Sequence, residues 1–444
     1  MISSRRAPLQ AAVALGLLAL AAAGCGSDPV ETPNILLIIG DDHGYPDFGF
    51  MGSPHVKTPH LDRLAREGTV FRHGYTTASW CLPSLRSLLT GLHPIQWQLR
   101  VRQLRAEGVK LGGARAIREF ETLPRMLGGS GYQSFQAGKL WEASYELAGF
   151  SDGMVLRGPD TAACEPGGLG RDSMPEVLAF IRSQSDQRFF VWFAPCLPHL
   201  PHDAPSRYGD LYAEMDLSPS ARGYYASISR FDDRVGELME LLEELGLEER
   251  TLVVYVSDNG WDQGPHASHP GIDDGPRGKK SIFDLGFRTP IILRQPGSIP
   301  AGAVRDELVS IVDLVPTFLD YAGLPPLPDL PGESLRPLIE GRAERPDSEV
   351  IGGWLPWSLH AGDVEGMGPS GYFVRKGKWH YLTVSGSGGR EALFDVRADP
   401  REDRNLAAQH RDVLLQFRKR LQQWQEEMHR PFAPSASVGS RARP

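Results

Sequence analysis

Three stretches of the chain are unbroken apolar runs with no polar alternation: Asn34-Ile-Leu-Leu-Ile-Ile-Gly40, Arg188-Phe-Phe-Val-Trp-Phe-Ala194 and Thr251-Leu-Val-Val-Tyr-Val-Ser257. A strand with one face in water alternates apolar and polar positions. A run without alternation predicts a strand covered on both faces, as in the middle of a parallel sheet. Between these runs the apolar positions fall at helical spacing, predicting helices over Pro59 to Gly68, Ser84 to Thr90, Glu121 to Gly128, Asp172 to Ser183 and Tyr224 to Leu245. The last carries Ile228, Phe231, Val235, Leu238 and Leu242 on one face and ends at the stop signal Gly246. Strands alternating with helices predict an α/β domain with a large, mostly parallel sheet flanked by helices.

The pattern changes after about Glu349. Gly371 to Arg375 and Lys378 to Val384 alternate with period two, and Asp412 to His429 forms a charged amphipathic helix. These predict a small C-terminal antiparallel sheet with one helix. The proline-rich stretch Pro325 to Pro331 marks a surface connection. The organisation read from this is a main domain over 33–345, a small α+β domain over 346–432 and a disordered tail over 433–444.

The N-terminus reads as an address. Arg5 and Arg6 precede the apolar run Ala11 to Ala23, which is shorter than the roughly 20 residues that span a bilayer, and Gly24-Cys25 follows. Residues 1–24 read as a secretory signal. Ala22-Ala23-Gly24-Cys25 resembles a bacterial lipobox, which makes Cys25 the lipid-bearing first residue of an exported, membrane-anchored protein in the bacterial cell envelope, followed by a polar tether to residue 32. In that compartment a Cys164–Cys196 disulfide is allowed, leaving Cys81 single.

Composition narrows the picture. Hydrophobic residues make up 41% of the chain and charged residues 23%, which suits a folded protein with a core. The net charge of −8 speaks against general nucleic-acid binding. Any pull on an anionic substrate is therefore local.

Functional groups in open α/β sheets gather where loops leave the carboxyl ends of strands. Asp41 and Asp42 directly follow the first apolar run, Asp258-Asn259 the third, and His199 lies shortly past the second. Three aspartates and an asparagine form an all-oxygen donor set, suited to a hard cation such as Ca²⁺ or Mg²⁺ rather than zinc.

Taken in order, these residues and their neighbours resemble the sulfatase family over nearly the whole chain after the leader. "PNILLIIGDDHGY" resembles its metal-binding strand, "CLPSLRSLLTG" its nucleophile motif, "GYQSFQAGKLW" its lysine-bearing strand and "PCLPHLPH" its histidine loop. "VSDNG" resembles the second metal motif, "RGKKSIFDLGFRTPIIL" the later lysine motif, and "LFDVRADPREDRNLA" part of the small domain. The resemblance implies an alkaline-phosphatase-like fold and hydrolysis of carbohydrate or aryl sulfate esters. It implies one divalent cation, Ca²⁺ foremost, held by Asp41, Asp42, Asp258, Asn259 and residue 81. The implied nucleophile is formylglycine, made from Cys81 by a dedicated maturase and hydrated to a diol. Lys139 and Lys279 clamp the sulfate, and His199 protonates the leaving oxygen.

Two positions depart from the family pattern. Leu85 stands where the motif carries an arginine that accompanies the nucleophile, and the nearest arginine, Arg86, is counted with the catalytic residues in its place. Neighbouring helix residues point about 100° apart. Trp141 stands where a histidine follows the first lysine, with Glu142, Tyr145 and His266 as residues that could replace it. Two other readings stay open: a phosphate or phosphonate hydrolase on the same scaffold, and a catalytically impaired binder of sulfated glycans. The run Arg100, Arg102, Arg105, Lys110, Arg115 and Arg118 reads as a solvated surface insertion rather than a cleft wall. His266 and His269, in a Gly/Pro-rich loop, read as loop residues rather than a zinc pair.

Overall fold

In the computed structural model, β1 (Asn34–Gly40) is the strand around which the molecule is built, and every one of its residues is buried. The structure describes residues 32–109, 113–142, 144–154, 164, 168, 171, 174–184, 186–262, 277–325, 327–354, 371–384 and 390–430. The leader, Cys25, the tether, Lys110, His266, His269 and the C-terminal tail lie outside the residues whose placement and side chains are described.

The remaining strands of the main sheet are β2 (Thr69–Tyr75), β3 (Gln133–Gly138), β4 (Asp152–Gly153), β5 (Phe189–Ala194), β6 (Thr251–Ser257), β7 (Arg288–Arg294) and β8 (Ala303–Ser310). Among the described residues they form an eight-stranded sheet in the order β4-β3-β5-β1-β6-β7-β2-β8. β1 pairs in parallel with β5 on one side and β6 on the other, and β3 pairs in parallel with β5. Only β7 runs against its neighbours β6 and β2.

Alternate residues of β1 enter two different cores. Ile35, Leu37 and Ile39 face a cluster with Leu85, Leu88 and Leu89 of the helix Cys81–Thr90 and with Leu314, Val315 and Phe318 of the helix Leu314–Tyr321. Leu36 and Ile38 face Leu61 and Leu64 of the helix Pro59–Glu67 and Phe231, Val235 and Leu238 of the helix Pro219–Glu244. Each buried aliphatic side chain contributes roughly 1.5–3 kcal/mol relative to exposure. Both faces of the strand must therefore be apolar, which is why the sequence shows no alternation there.

A second sheet, β12-β11-β10-β9, is antiparallel throughout: β9 (Glu349–Trp354), β10 (Gly371–Lys376), β11 (Trp379–Val384) and β12 (Arg390–Asp395). One face packs Val374, Tyr381 and Leu393 under Leu414, Phe417, Leu421 and Trp424 of the helix Arg411–Met428. The other face places Phe373, Leu382 and Phe394 in one cluster with Tyr75, Ile282, Phe283 and Phe287 of the main body. The chain from Thr32 onward clusters as one compact unit, and the change of pattern near residue 346 is where the second sheet begins.

The elements differ from the sequence pattern mainly at their ends. The helix read from Ser84 begins at Cys81, with Pro83 in the first turn, where backbone N–H groups lack intrahelical partners anyway. The basic insertion holds the helix Pro94–Ala106, on which Arg100, Arg102 and Arg105 are half-buried and Trp97 is buried against Phe120. No helix among the described residues is long and apolar enough to cross a membrane.

Candidate active site

The parallel strands β3, β5, β1 and β6 lie side by side, and their carboxyl ends deliver Lys139, the histidine loop, Asp41-Asp42 and Asp258-Asn259 to one place. Asp42 has a left-handed backbone, φ 64°, which turns its carboxylate back across the end of the sheet. Its N–H donates to Asp258 Oδ1 at 3.1 Å, and Asn259 Nδ2 donates to Asp42 Oδ1 at 2.7 Å. All four side chains are buried.

Two ammonium groups face these carboxylates. Lys139 Nζ lies 2.8 and 2.7 Å from the two oxygens of Asp41. Lys279 Nζ lies 2.6 and 2.8 Å from those of Asp42. Lys139 reaches its position because Gly138, at φ 86°, makes the turn out of β3, and a Cβ there would stand 2.0 Å from the Ala194 carbonyl oxygen. Cys81, the first residue of its helix, points its Sγ at Asp41 Oδ1, 3.9 Å away. One oxygen each of Asp41 and Asp42 and the Cys81 sulfur lie within 4.8 Å of one another.

The charge balance is uneven. Burial alone would raise Asp41, but the positive charges of Lys139, His199 and Lys279 outweigh it and hold its carboxyl well below the usual range. Asp258 goes the other way: burial first, then the negative charge of Asp41, push it well above. Burial also pushes the Cys81 thiol far above its ordinary value, against the pull of Lys139 and Lys279. As a thiol, residue 81 is therefore a poor nucleophile.

The histidine loop crosses beside Asp41, whose N–H donates to the Leu197 carbonyl at 2.9 Å. His199 Nδ1 lies 2.6 Å from the Leu200 carbonyl. A carbonyl only accepts, so Nδ1 carries a proton. Nε2, 3.6 Å from Asp42 Oδ2, is the nitrogen free to exchange one at the site. Cys164 and Cys196 are disulfide-bonded, with Cα atoms 5.2 Å apart. One ligand-type atom from each of Asp41, Cys164, Cys196 and His199 falls within 4.8 Å, but sulfurs joined to each other offer no thiolate to a metal.

Arg86 is placed elsewhere. Leu85 packs into the core beneath the helix, and the rotation of one residue sends Arg86 to Glu142, with Nε–Oε1 at 2.7 Å and Nη2–Oε2 at 3.3 Å. Its guanidinium also stacks over Trp97, 4.1 Å from the ring centroid. Both members of the ion pair are buried. The expectation that Arg86 assists residue 81 is thus not met by its position, and Glu142 is committed to that pair rather than replacing the absent histidine. Tyr145 packs against Gly153 of β4. Trp141 itself stays near the site, its ring 5.5 Å from Lys139 Nζ.

Three supporting residues were not singled out in the sequence. Tyr224, on the long helix, accepts from the Gly44 N–H at 2.8 Å and donates to the Asp42 carbonyl at 3.1 Å, bracing the left-handed turn. His43 lies under the same loop, its Nε2 donating to the Asp47 carbonyl and its Nδ1 accepting from Tyr255. Burial lowers it to about 3, so it is neutral. Arg171 is wholly buried behind the histidine loop.

A hard cation fits this donor set. Asp258 Oδ2 and Asn259 Oδ1 are buried with no hydrogen-bond partner among the described residues, at the cluster that also holds the Asp41 and Asp42 carboxylates. Leaving such groups unpaired costs about 1–3 kcal/mol each, more for a charged one. A cation bound there would satisfy both and relieve the elevated Asp258.

Fold and site together define a buried cluster of carboxylates and lysines at the carboxyl ends of parallel strands, with a donor set that suits a hard cation. The sulfatase family model matches residues 33–324, and the model for the C-terminal region of N-sulphoglucosamine sulphohydrolase matches residues 275–427. N-acetylgalactosamine-6-sulfatase of Canis lupus familiaris is 33% identical over 374 residues, covering 73% of this chain and 69% of the relative. Human arylsulfatase A is 31% identical over 442 residues, covering 86% and 80%. A solved structure, BT4656 in complex with its substrate D-glucosamine-2-N,6-O-disulfate, shares the fold at TM-score 0.70 and 20% identity, covering 89% of this chain and 98% of its own. The chain belongs to the sulfatase family, the sulfuric ester hydrolases.

Proposed function

We propose that this protein is an exported sulfatase that removes sulfate from a carbohydrate or aryl ester by means of a formylglycine formed from Cys81. The observation that carries the reading is the convergence of Cys81, two paired aspartates and two buried lysines in one buried cluster beside the carboxyl ends of the parallel strands. Burial pushes the Cys81 thiol up, so the unmodified side chain would serve poorly as the nucleophile, and the reading needs its conversion.

Asp41, Asp42, Asp258, Asn259 and the modified residue 81 would hold one divalent cation, with Ca²⁺ favoured by the oxygen-only protein donors and Mg²⁺ the alternative. When bound, that cation supplies positive charge that stabilises anionic oxygen at the reacting centre. Lys139 and Lys279 bind the non-bridging sulfate oxygens and stabilise the charge that grows on them as the ester bond breaks. His199 gives the proton at Nε2 to the departing alcohol or phenol oxygen. The glycan preference rests on the relatives, one acting at an N-acetylgalactosamine sulfate and one bound to a glucosamine disulfate. The signal-like leader and lipobox support export and anchoring through Cys25, as does the Cys164–Cys196 pairing. Release of a Cys25→Ser variant from membranes is the expected mark of that anchor.

Mass spectrometry of the Cys81 peptide tests the central claim. Conversion gives a lighter, hydrazide-reactive aldehyde; an intact thiol in protein made alongside a maturase would favour a non-catalytic glycan binder. Matched aryl sulfate and aryl phosphate esters test the ester class, and a clear preference for phosphate would move the assignment to phosphoryl hydrolysis.

A further inference from the structure

The loop that carries His199, Pro195-Cys-Leu-Pro-His-Leu-Pro-His-Asp203, contains three prolines and little regular structure. Proline supplies no N–H, so the loop cannot tie its own carbonyls into a ladder, and buried carbonyls need donors from elsewhere. One side chain supplies three of them. Arg171 Nη1 donates to the Cys196 carbonyl at 2.6 Å and the His199 carbonyl at 3.4 Å, while Nη2 donates to the Pro201 carbonyl at 2.7 Å and Asp203 Oδ1 at 2.5 Å. Asp203 also receives Arg230 at 3.0 Å. Arg171 is 0% exposed and contacts the loop at both ends and at the histidine itself.

We propose that Arg171 is the positioning residue that presents the His199 imidazole to the leaving oxygen, acting on the loop backbone with the Cys164–Cys196 disulfide as a second anchor; this rests on the sulfatase reading above. The planar guanidinium spreads its donors over four acceptors in one plane of approach, which an ammonium on a flexible stem cannot do. With the backbone of residue 199 held from behind and Nδ1 bonded to the Leu200 carbonyl, the ring has one orientation, with Nε2 toward Asp42. Arg171 touches neither substrate nor the reacting atoms. It sets the geometry of the residue that does.

The test uses full-length protein carrying formylglycine at position 81, comparing wild type with Arg171→Lys. KM for a sugar sulfate is expected to change by less than about threefold, because Lys139 and Lys279 still bind the sulfate. Turnover of the sugar sulfate, whose poor leaving group needs a proton, is expected to fall about 100-fold, the order of a well-placed general acid. Turnover of 4-nitrophenyl sulfate, whose leaving group departs as a stable anion, is expected to fall less than about tenfold. Equal losses on the two esters would mark Arg171 as merely structural and overturn the proposal. The ring signal of His199, identified by its disappearance in His199→Gln, gives a readout without turnover. It is expected to move in Arg171→Lys with the disulfide intact by thiol titration, and an unmoved signal overturns the proposal. If Arg171→Lys does not fold, Asp203→Asn, which removes the carboxylate anchoring Nη2, is expected to shift the same ring signal to a smaller extent. Wild-type protein that turns over no sulfate ester would remove the parent reading and leave the ring signal to decide the clamp.

Discussion

Asp258 is the residue on which the cation site turns: it is buried, elevated by burial and by Asp41, and keeps one oxygen without a partner among the described residues. Asp258→Ala is expected to abolish calcium binding measured by calorimetry, whereas unchanged affinity would place the cation elsewhere. The Arg86–Glu142 pair poses a different residue-level question, since it occupies the place where the family pattern departs. Removing one member leaves a buried charge without its partner, at a cost of about 3–5 kcal/mol. Arg86→Met and Glu142→Leu are each expected to lose that much in urea unfolding, and the double variant clearly less than the sum. Additive losses would show that the two side chains do not depend on each other.

At the scale of elements, the site is a property of strand ends. β1, β3, β5 and β6 run in parallel and stop level with one another, so short loops from distant parts of the chain meet. Gly138 shows how narrow the tolerance is. Its φ of 86° and the Ala194 carbonyl 2.0 Å from any Cβ leave no room for a side chain. Gly138→Ala is expected to lower Tm and to displace Lys139, so that the folded fraction loses sulfate affinity. A variant with wild-type Tm and KM would mean the β3 end can move without disturbing the lysine. β1, β5 and β6 were legible from their apolar runs, β3 only through the family resemblance, and β1 and β6 have the ends that the sequence pattern predicts. The antiparallel β7 was not, because strand direction is a matter of partner choice and leaves no trace in a strand's own composition.

At the scale of the whole molecule, the two sheets are joined by a buried charged network as well as by the apolar cluster. Asp284 accepts from Tyr75 at 2.6 Å and lies 3.8 Å from Arg375 of β10, while its N–H donates to Glu402. Burial alone would raise Asp284, but Arg288, His380 and Arg375 hold its carboxyl below the ordinary value of 3.8. A carboxylate lowered on folding stabilises the native state at pH above its unfolded value, and that stability is lost as pH falls below it. The urea midpoint is therefore expected to drop as pH falls below about 4, through the unfolded carboxylate value and on toward the lower folded one, and to drop less steeply in Asp284→Asn. Equal slopes would remove Asp284 from the acid response.

The sequence by itself determined the α/β layers, the small second sheet, and the identity and order of Asp41, Asp42, Cys81, Lys139, His199, Asp258, Asn259 and Lys279. Each of these is encoded locally, in the burial period of a strand or in a motif a few residues long. The tertiary structure alone decided which way Arg86 points, which carboxylate each lysine faces, and what holds the site in place. Tyr224 braces Asp42 across 182 positions and Arg171 grips a loop about 30 residues away. Such contacts are set by how helices and loops pack on the finished sheet, so no window of the chain announces them.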